Sequence, residues 1–131
     1  MTGKFDFSLD LPYGQEGEAY VKDMLRGVFD SSDVTVEVKR DARALGTGNV
    51  YLEYSQLPQG HPPWRKSGLA ITEASYFAVV IGNMIIIAPT DAWKWVGNQS
   101  GVKRETGGDN PTRGVCVPLG NLPKRLSEAP F

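Results

Sequence analysis

The chain has 131 residues, 14 basic and 15 acidic side chains, a formal net charge of −1 and an apolar share of 40%. That length suits one domain able to bury its own core, and the composition excludes wholesale disorder. One cysteine and one histidine leave neither an intrachain disulfide framework nor a Cys/His zinc set, and no apolar run approaches the roughly 18 residues of a membrane span. No basic-then-apolar leader opens the chain, so a soluble cytoplasmic protein without a membrane partner is expected.

Charge is unevenly spread. Residues 1–33 carry three basic and seven acidic side chains, residues 34–73 five and four, and residues 74–131 six and four. Basic surface is therefore local, at Lys39, Arg40 and Arg43, at Arg65 and Lys66, and at Lys103, Arg104 and Arg113.

Val21, Met24, Leu25 and Val28 recur at helical spacing and predict an amphipathic helix over residues 15–28. Residues 34–41 and 49–55 alternate with period two and predict two strands. The Ala-Leu-Gly-Thr-Gly stretch between them supplies the turn residues of a hairpin, and Pro58, Gly60, Pro62 and Pro63 then force a loop. Thr72 reads as the N-cap of a mostly buried helix that carries Tyr76, Phe77, Val79, Val80 and Ile81 and stops at Gly82. Met84 to Ala88 reads as a short apolar strand. Thr90 then caps a short helix through Val96, in which Trp93 and Trp95 cannot share one face. Residues 97–114 lack periodicity and read as a flexible loop, Val115 to Leu119 as a last strand, and residues 120–131 as a tail. The order predicts a single α/β or α+β domain over residues 1–131.

The chemistry concentrates on the expected hairpin. Thr35, Glu37, Lys39 and Asp41 share one face of the first strand, and Tyr51, Glu53 and Ser55 one face of the second. A turn centred near Leu45 sets Glu37 opposite Glu53 and Lys39 opposite Tyr51. Opposed carboxylates on a hairpin need a positive charge between them, which Lys39 and a divalent cation would supply. Mg²⁺ takes hard oxygen ligands, commonly one or two carboxylates plus a phosphate, and Glu18 on the first helix and Asp41 are further candidate ligands. Lys39 would orient or deprotonate the attacking water or neutralise the scissile phosphate. The alternative is a solvated salt-bridge cluster of Glu37, Lys39 and Glu53, which contributes little.

The run Gly14-x-x-x-Glu18, then Val36-Glu37-Val38-Lys39-x-Asp41, then Thr47-Gly48-Asn49-Val50-x-Leu52-Glu53 resembles small phage and archaeal nucleases of the PD-(D/E)xK superfamily. Lys66-Ser67-Gly68-Leu69 followed by Thr72-x-Ala74-Ser75-Tyr76-Phe77 is similar to the segment after the hairpin in phage members, so the resemblance spans roughly residues 9–119. It implies a restriction-endonuclease-like core, a central mixed β-sheet with a catalytic hairpin flanked by helices. It also implies a Mg²⁺- or Mn²⁺-dependent DNA endonuclease acting in the host cytoplasm of a phage. The nearest small members are archaeal-type Holliday junction resolvases, homodimers that cut branched double-stranded DNA symmetrically. The family's aspartate on a strand before Glu-x-Lys is missing here, and Ser55 stands where its lysine would follow Glu53. Two mappings remain: Glu37-Val38-Lys39 as the family's Glu-x-Lys, or Glu37 and Glu53 as its two acidic positions with Lys39 migrated. Pairing favours the second, with Glu18, Glu37 and Glu53 as metal ligands, Lys39 catalytic and Asp41 in reserve.

Arg40, Arg43, Lys66, Ser67, Lys103, Arg104 and Arg113 are candidates for phosphate contacts, which position DNA without reading its sequence. His61 reads as a surface residue and Cys116 as a small buried hydrophobe. Other phage nucleases of the same superfamily, or a non-catalytic DNA-binding module, are the competing functions.

Overall fold

Period-two alternation does make a strand of Val36–Arg40, but its partner is not the expected one. The computed structural model describes residues 35–130, so the helix expected over 15–28 and Glu18 lie outside the described residues. The elements run β1 (Val36–Arg40), α1 (Ala44–Thr47), β2 (Asn49–Gln56), a 3-10 turn (Pro58–Gly60), β3 (Arg65–Lys66) and a second 3-10 turn (Gly68–Ala70). β4 (Tyr76–Ile81), β5 (Met84–Pro89), α2 (Thr90–Ser100), β6 (Val102–Glu105), β7 (Thr112–Pro118) and α3 (Leu122–Ser127) follow. The described residues are thus mixed α+β, with two sheets and few helices. None of these helices is long and apolar enough to cross a membrane.

The sheets are β1-β4-β5 and β3-β2-β7-β6. In the first, β1 pairs with β4 in parallel and β4 with β5 antiparallel; the second is antiparallel throughout. The expected hairpin of β1 and β2 therefore does not form, and the described strands lie in two sheets in place of one central mixed sheet. Alternation fixes which side chains share a face but not which strand lies alongside. Between β1 and β2, buried Ala44 anchors the helical turn α1, and Gly48 ends it at φ +74°, sending the chain into the other sheet.

The segment expected as a helix after Thr72 is β4. It is the central strand of its sheet, and both of its faces are buried. Phe77, Val79 and Ile81 join the main core, while Ala78 and Val80 pack with Val36 on the opposite face. A strand buried on both faces is a continuous apolar run that periodicity cannot distinguish from a buried helix. Gly82, at φ +59°, then turns β4 into β5 across two residues.

Val50, Leu52 and Val117 of the four-stranded sheet meet α2 and α3 in the main core. Trp93 is fully buried there, donates its indole N–H to the Phe77 carbonyl at 2.8 Å, and meets the Phe77 ring edge-on at 5.8 Å. Trp95 is half-buried. Thr90 does not cap α2. Its hydroxyl donates instead to the Ala74 carbonyl at 2.6 Å, tying the helix start to the entry of β4. The stretch expected as a flexible loop holds the end of α2, all of β6 and the start of β7, and the expected tail holds α3.

One buried group is left over. The Tyr54 hydroxyl has no hydrogen-bond partner among the described residues, and a Cβ at Gly97 of α2 would stand 2.8 Å from it. Tyr54→Phe is expected to raise stability by about 1 kcal/mol, since it removes a buried unsatisfied hydroxyl. Gly97→Ala alone should lose about 1 kcal/mol, because overpacking outweighs the better helix propensity. In the Tyr54→Phe background the same change should be neutral or stabilising, since the next neighbours lie at 3.4 and 3.5 Å. Urea unfolding of the four proteins checks this; additive effects would contradict the contact.

Candidate active site at the seam between the sheets

β1 and β2 meet through side chains where no ladder joins them. The Lys39 ammonium donates to the Tyr51 carbonyl at 2.6 Å, and Asp41 Oδ2 accepts the Tyr51 N–H at 3.0 Å. The other Asp41 oxygen accepts the Arg43 N–H at 3.1 Å. Both main-chain groups of Tyr51 are thus satisfied by β1 and the turn after it. That arrangement closes part of the edge of β2, where β3 pairs only with Ser55 and Gln56. Asp41 is buried, contrary to its expected place on an open face, and its two oxygens serve backbone groups. Its carboxylate clasps the end of β1 to β2.

Glu37 and Glu53 are not cross-strand neighbours. Glu37 pairs in register with Phe77, and Glu53 with Gly114. A single turn nevertheless engages both. Ser67 donates its hydroxyl to Glu53 Oε2 at 2.7 Å, and Thr72 donates to Glu37 Oε1 at 3.4 Å. The Thr72 N–H returns to the Gly68 carbonyl at 3.2 Å, so the segment from Ser67 to Thr72 is one compact unit between the glutamates. Its closeness to β2 depends on Gly68, at φ +54°, where a Cβ would lie 2.5 Å from the Glu53 carbonyl oxygen. Ser67, expected to meet DNA, is buried and orients Glu53 instead. Thr72 caps a turn through the Ala74 N–H at 3.3 Å, not a helix.

Lys39 is the most perturbed cation of the seam. Burial pushes its pKa below the ordinary 10.5, and the charges of Asp41 and Glu53 oppose that shift only in part. Its ammonium also lies 5.0 Å from the centroid of the Tyr51 ring. The Tyr51 hydroxyl is fixed 2.8 Å from that of Thr112, and burial raises its pKa. Cys116, expected as a core residue, is half-buried and lines the same recess as Lys39 and Tyr51. Sequence reasoning gave Tyr51 no role; its register opposite Cys116 appears only once β7 is known to pair with β2.

The remaining predicted contacts are scattered. Lys103 and Arg104 are exposed on strand β6, not in a loop, and Lys66 is exposed on β3. Arg113 forms an exposed ion pair with Glu105 at 2.8 Å and stacks 3.9 Å from the centroid of Trp64. Arg40 and Arg43 line the recess beside Lys39, and His61 is exposed, as expected.

Among the described residues, no three His, Cys, Asp or Glu side chains gather to hold a metal ion. Glu37 and Glu53, each held by a hydroxyl of the same turn, carry hard oxygen donors of the type Mg²⁺ takes. No family model matches the chain, and neither a curated protein nor a solved structure matches it significantly.

Proposed function

We propose that the protein is a metal-dependent DNA endonuclease whose first substrate is the four-way junction, cut as a homodimer. The observation that carries this reading is the seam itself. Two glutamates engage one turn, and a lysine with a depressed pKa sits beside Glu53 and Asp41. Perturbed groups of this kind cluster at sites of chemistry.

Mg²⁺ or Mn²⁺ would supply a Lewis acid for the phosphoryl oxygen and would lower the pKa of the attacking water so that it is more readily deprotonated. Glu37 and Glu53 would hold it, with Ser67 and Thr72 fixing their orientation, and Glu18 is the further ligand the resemblance implies. Lys39 Nζ takes a proton from the attacking water in its neutral form, whose share at neutral pH is enlarged by burial. In its charged form it meets the negative phosphate. Arg104 and Arg43, exposed around the same recess, hold the strand through its phosphates.

Glu53→Gln preserves an acceptor for Ser67 and so should fold normally. Cleavage of junction DNA in Mg²⁺ is expected to fall at least 100-fold, on the order of the loss from a misplaced catalytic group, with junction binding retained. Undiminished cleavage would remove Glu53 from the site. A non-catalytic DNA-binding module is the second reading, favoured by the commitment of Asp41 to two backbone N–H groups. Its mark would be junction binding without cutting by the unaltered protein.

A further inference from the structure

The seam opens into a cavity of about 300 Å³ lined by elements of both sheets, with Lys39, Arg40 and Arg43 from β1 and α1's approach, Tyr51 from β2, and Arg104 and Cys116 from β6 and β7. We propose that this cavity is a phosphate subsite that takes one nucleotide. The proposal rests on the nuclease reading and specifies where the strand is held beside the reacting bond.

Charge is the first argument. Arg43 and Arg104 line the cavity beside Lys39, and the one carboxylate that lines it, Asp41, already accepts two backbone N–H groups. Arg43 and Arg104 are exposed and make no ion pair among the described residues, whereas Arg113 on the neighbouring strand is paired with Glu105. Like charges converging from separate strands repel one another unless an anion joins them. Guanidinium groups meet phosphate oxygens through paired, charge-assisted hydrogen bonds.

Shape is the second argument. The volume is at the lower end of those that enclose small ligands, the size class of a mononucleotide and larger than a bare phosphate needs. The sheet face beside it carries Tyr51 and Cys116, opposite the face that buries Val50, Leu52 and Val117. A sugar-phosphate lying there would touch β1 on one side and β6 on the other, so it would join the two sheets across a seam that no backbone ladder closes. The phosphate ester of a nucleoside is the shared chemistry, whether from a DNA strand or from a free nucleotide.

The test is calorimetric titration of the full chain in EDTA with thymidine 5′-monophosphate, thymidine and inorganic phosphate, followed by competition with a short DNA duplex. The monophosphate is expected to bind and thymidine not. Arg43→Ala and Arg104→Ala, each checked for an unchanged circular dichroism spectrum, should weaken binding about tenfold, the equivalent of losing one charged hydrogen bond. Displacement by the duplex identifies the strand as the source of the phosphate; binding that the duplex leaves intact identifies a free nucleotide. Equal binding of thymidine and its monophosphate, or no effect of either arginine, would overturn the proposal. No cleavage occurs in EDTA, so the two readings fail separately: nucleotide binding without junction cleavage overturns the nuclease alone, and cleavage without nucleotide binding overturns the subsite alone.

Discussion

Gly68→Ala is expected to lower cleavage about 100-fold and to cost about 3 kcal/mol of stability. Gly68 has φ +54°, where an alanine is strained by about 1–2 kcal/mol. The added Cβ would stand 2.5 Å from the Glu53 carbonyl oxygen and 3.1 Å from its carbonyl carbon, both backbone atoms of β2 that cannot swing away. Overpacking of this kind adds about 1–3 kcal/mol. The turn can relieve the clash only by lifting off β2, and that motion takes Ser67 from Glu53 and Thr72 from Glu37 together. A displacement of about 1 Å in such groups lowers turnover on the order of 100-fold. Gly107→Ala, with nothing within 4 Å of its added Cβ, is the matched control and should leave both properties unchanged. Urea unfolding and junction cleavage of the two variants make the comparison; equal behaviour would show that the turn does not position the glutamates.

Trp93→Ala should be the most damaging core substitution, at about 3–5 kcal/mol, the range for deleting a large buried aromatic side chain. Trp93 is fully buried, packs against the Phe77 ring and supplies the donor for the Phe77 carbonyl. Trp93→Phe separates these contributions. It keeps much of the volume and removes the indole hydrogen bond to a carbonyl that also lies in the β4–β5 ladder opposite Ala88, so a loss of about 1 kcal/mol is expected. Denaturant midpoints of the three proteins test the order; a phenylalanine variant as stable as the parent would mean that the hydrogen bond contributes nothing.

The sequence was informative where a strand has one buried face. Val50 and Leu52 are buried and Tyr51 and Glu53 partly open, as alternation required, until the irregularity between Glu53 and Ser55 shifts the register. β4 was misread because its sheet buries both faces, and an unbroken apolar run has no period to read. β6 was missed for the opposite reason: Val102, Lys103, Arg104 and Glu105 are all exposed, and the strand exists through its ladder to β7. The seam residues were visible as chemistry but not as geometry. Lys39, Glu37 and Glu53 share a residue chemistry that the sequence shows, yet the structure relates the glutamates through a turn far along the chain instead of a hairpin. Asp41 is indistinguishable in sequence from a ligand, because nothing in its spacing shows that Tyr51 and Arg43 present their N–H groups to it.

The most direct test is incubation of the full chain with a labelled four-way junction, and with matched linear duplex, single strand and nicked duplex, in Mg²⁺, Mn²⁺ or EDTA. Paired symmetric cuts confined to the junction, present with either metal and absent in EDTA, are the predicted result. Cutting of linear or single-stranded DNA instead would retain the metal-dependent nuclease and overturn the junction substrate. No cutting of any substrate in either metal, with the junction still bound, would contradict the enzymatic account.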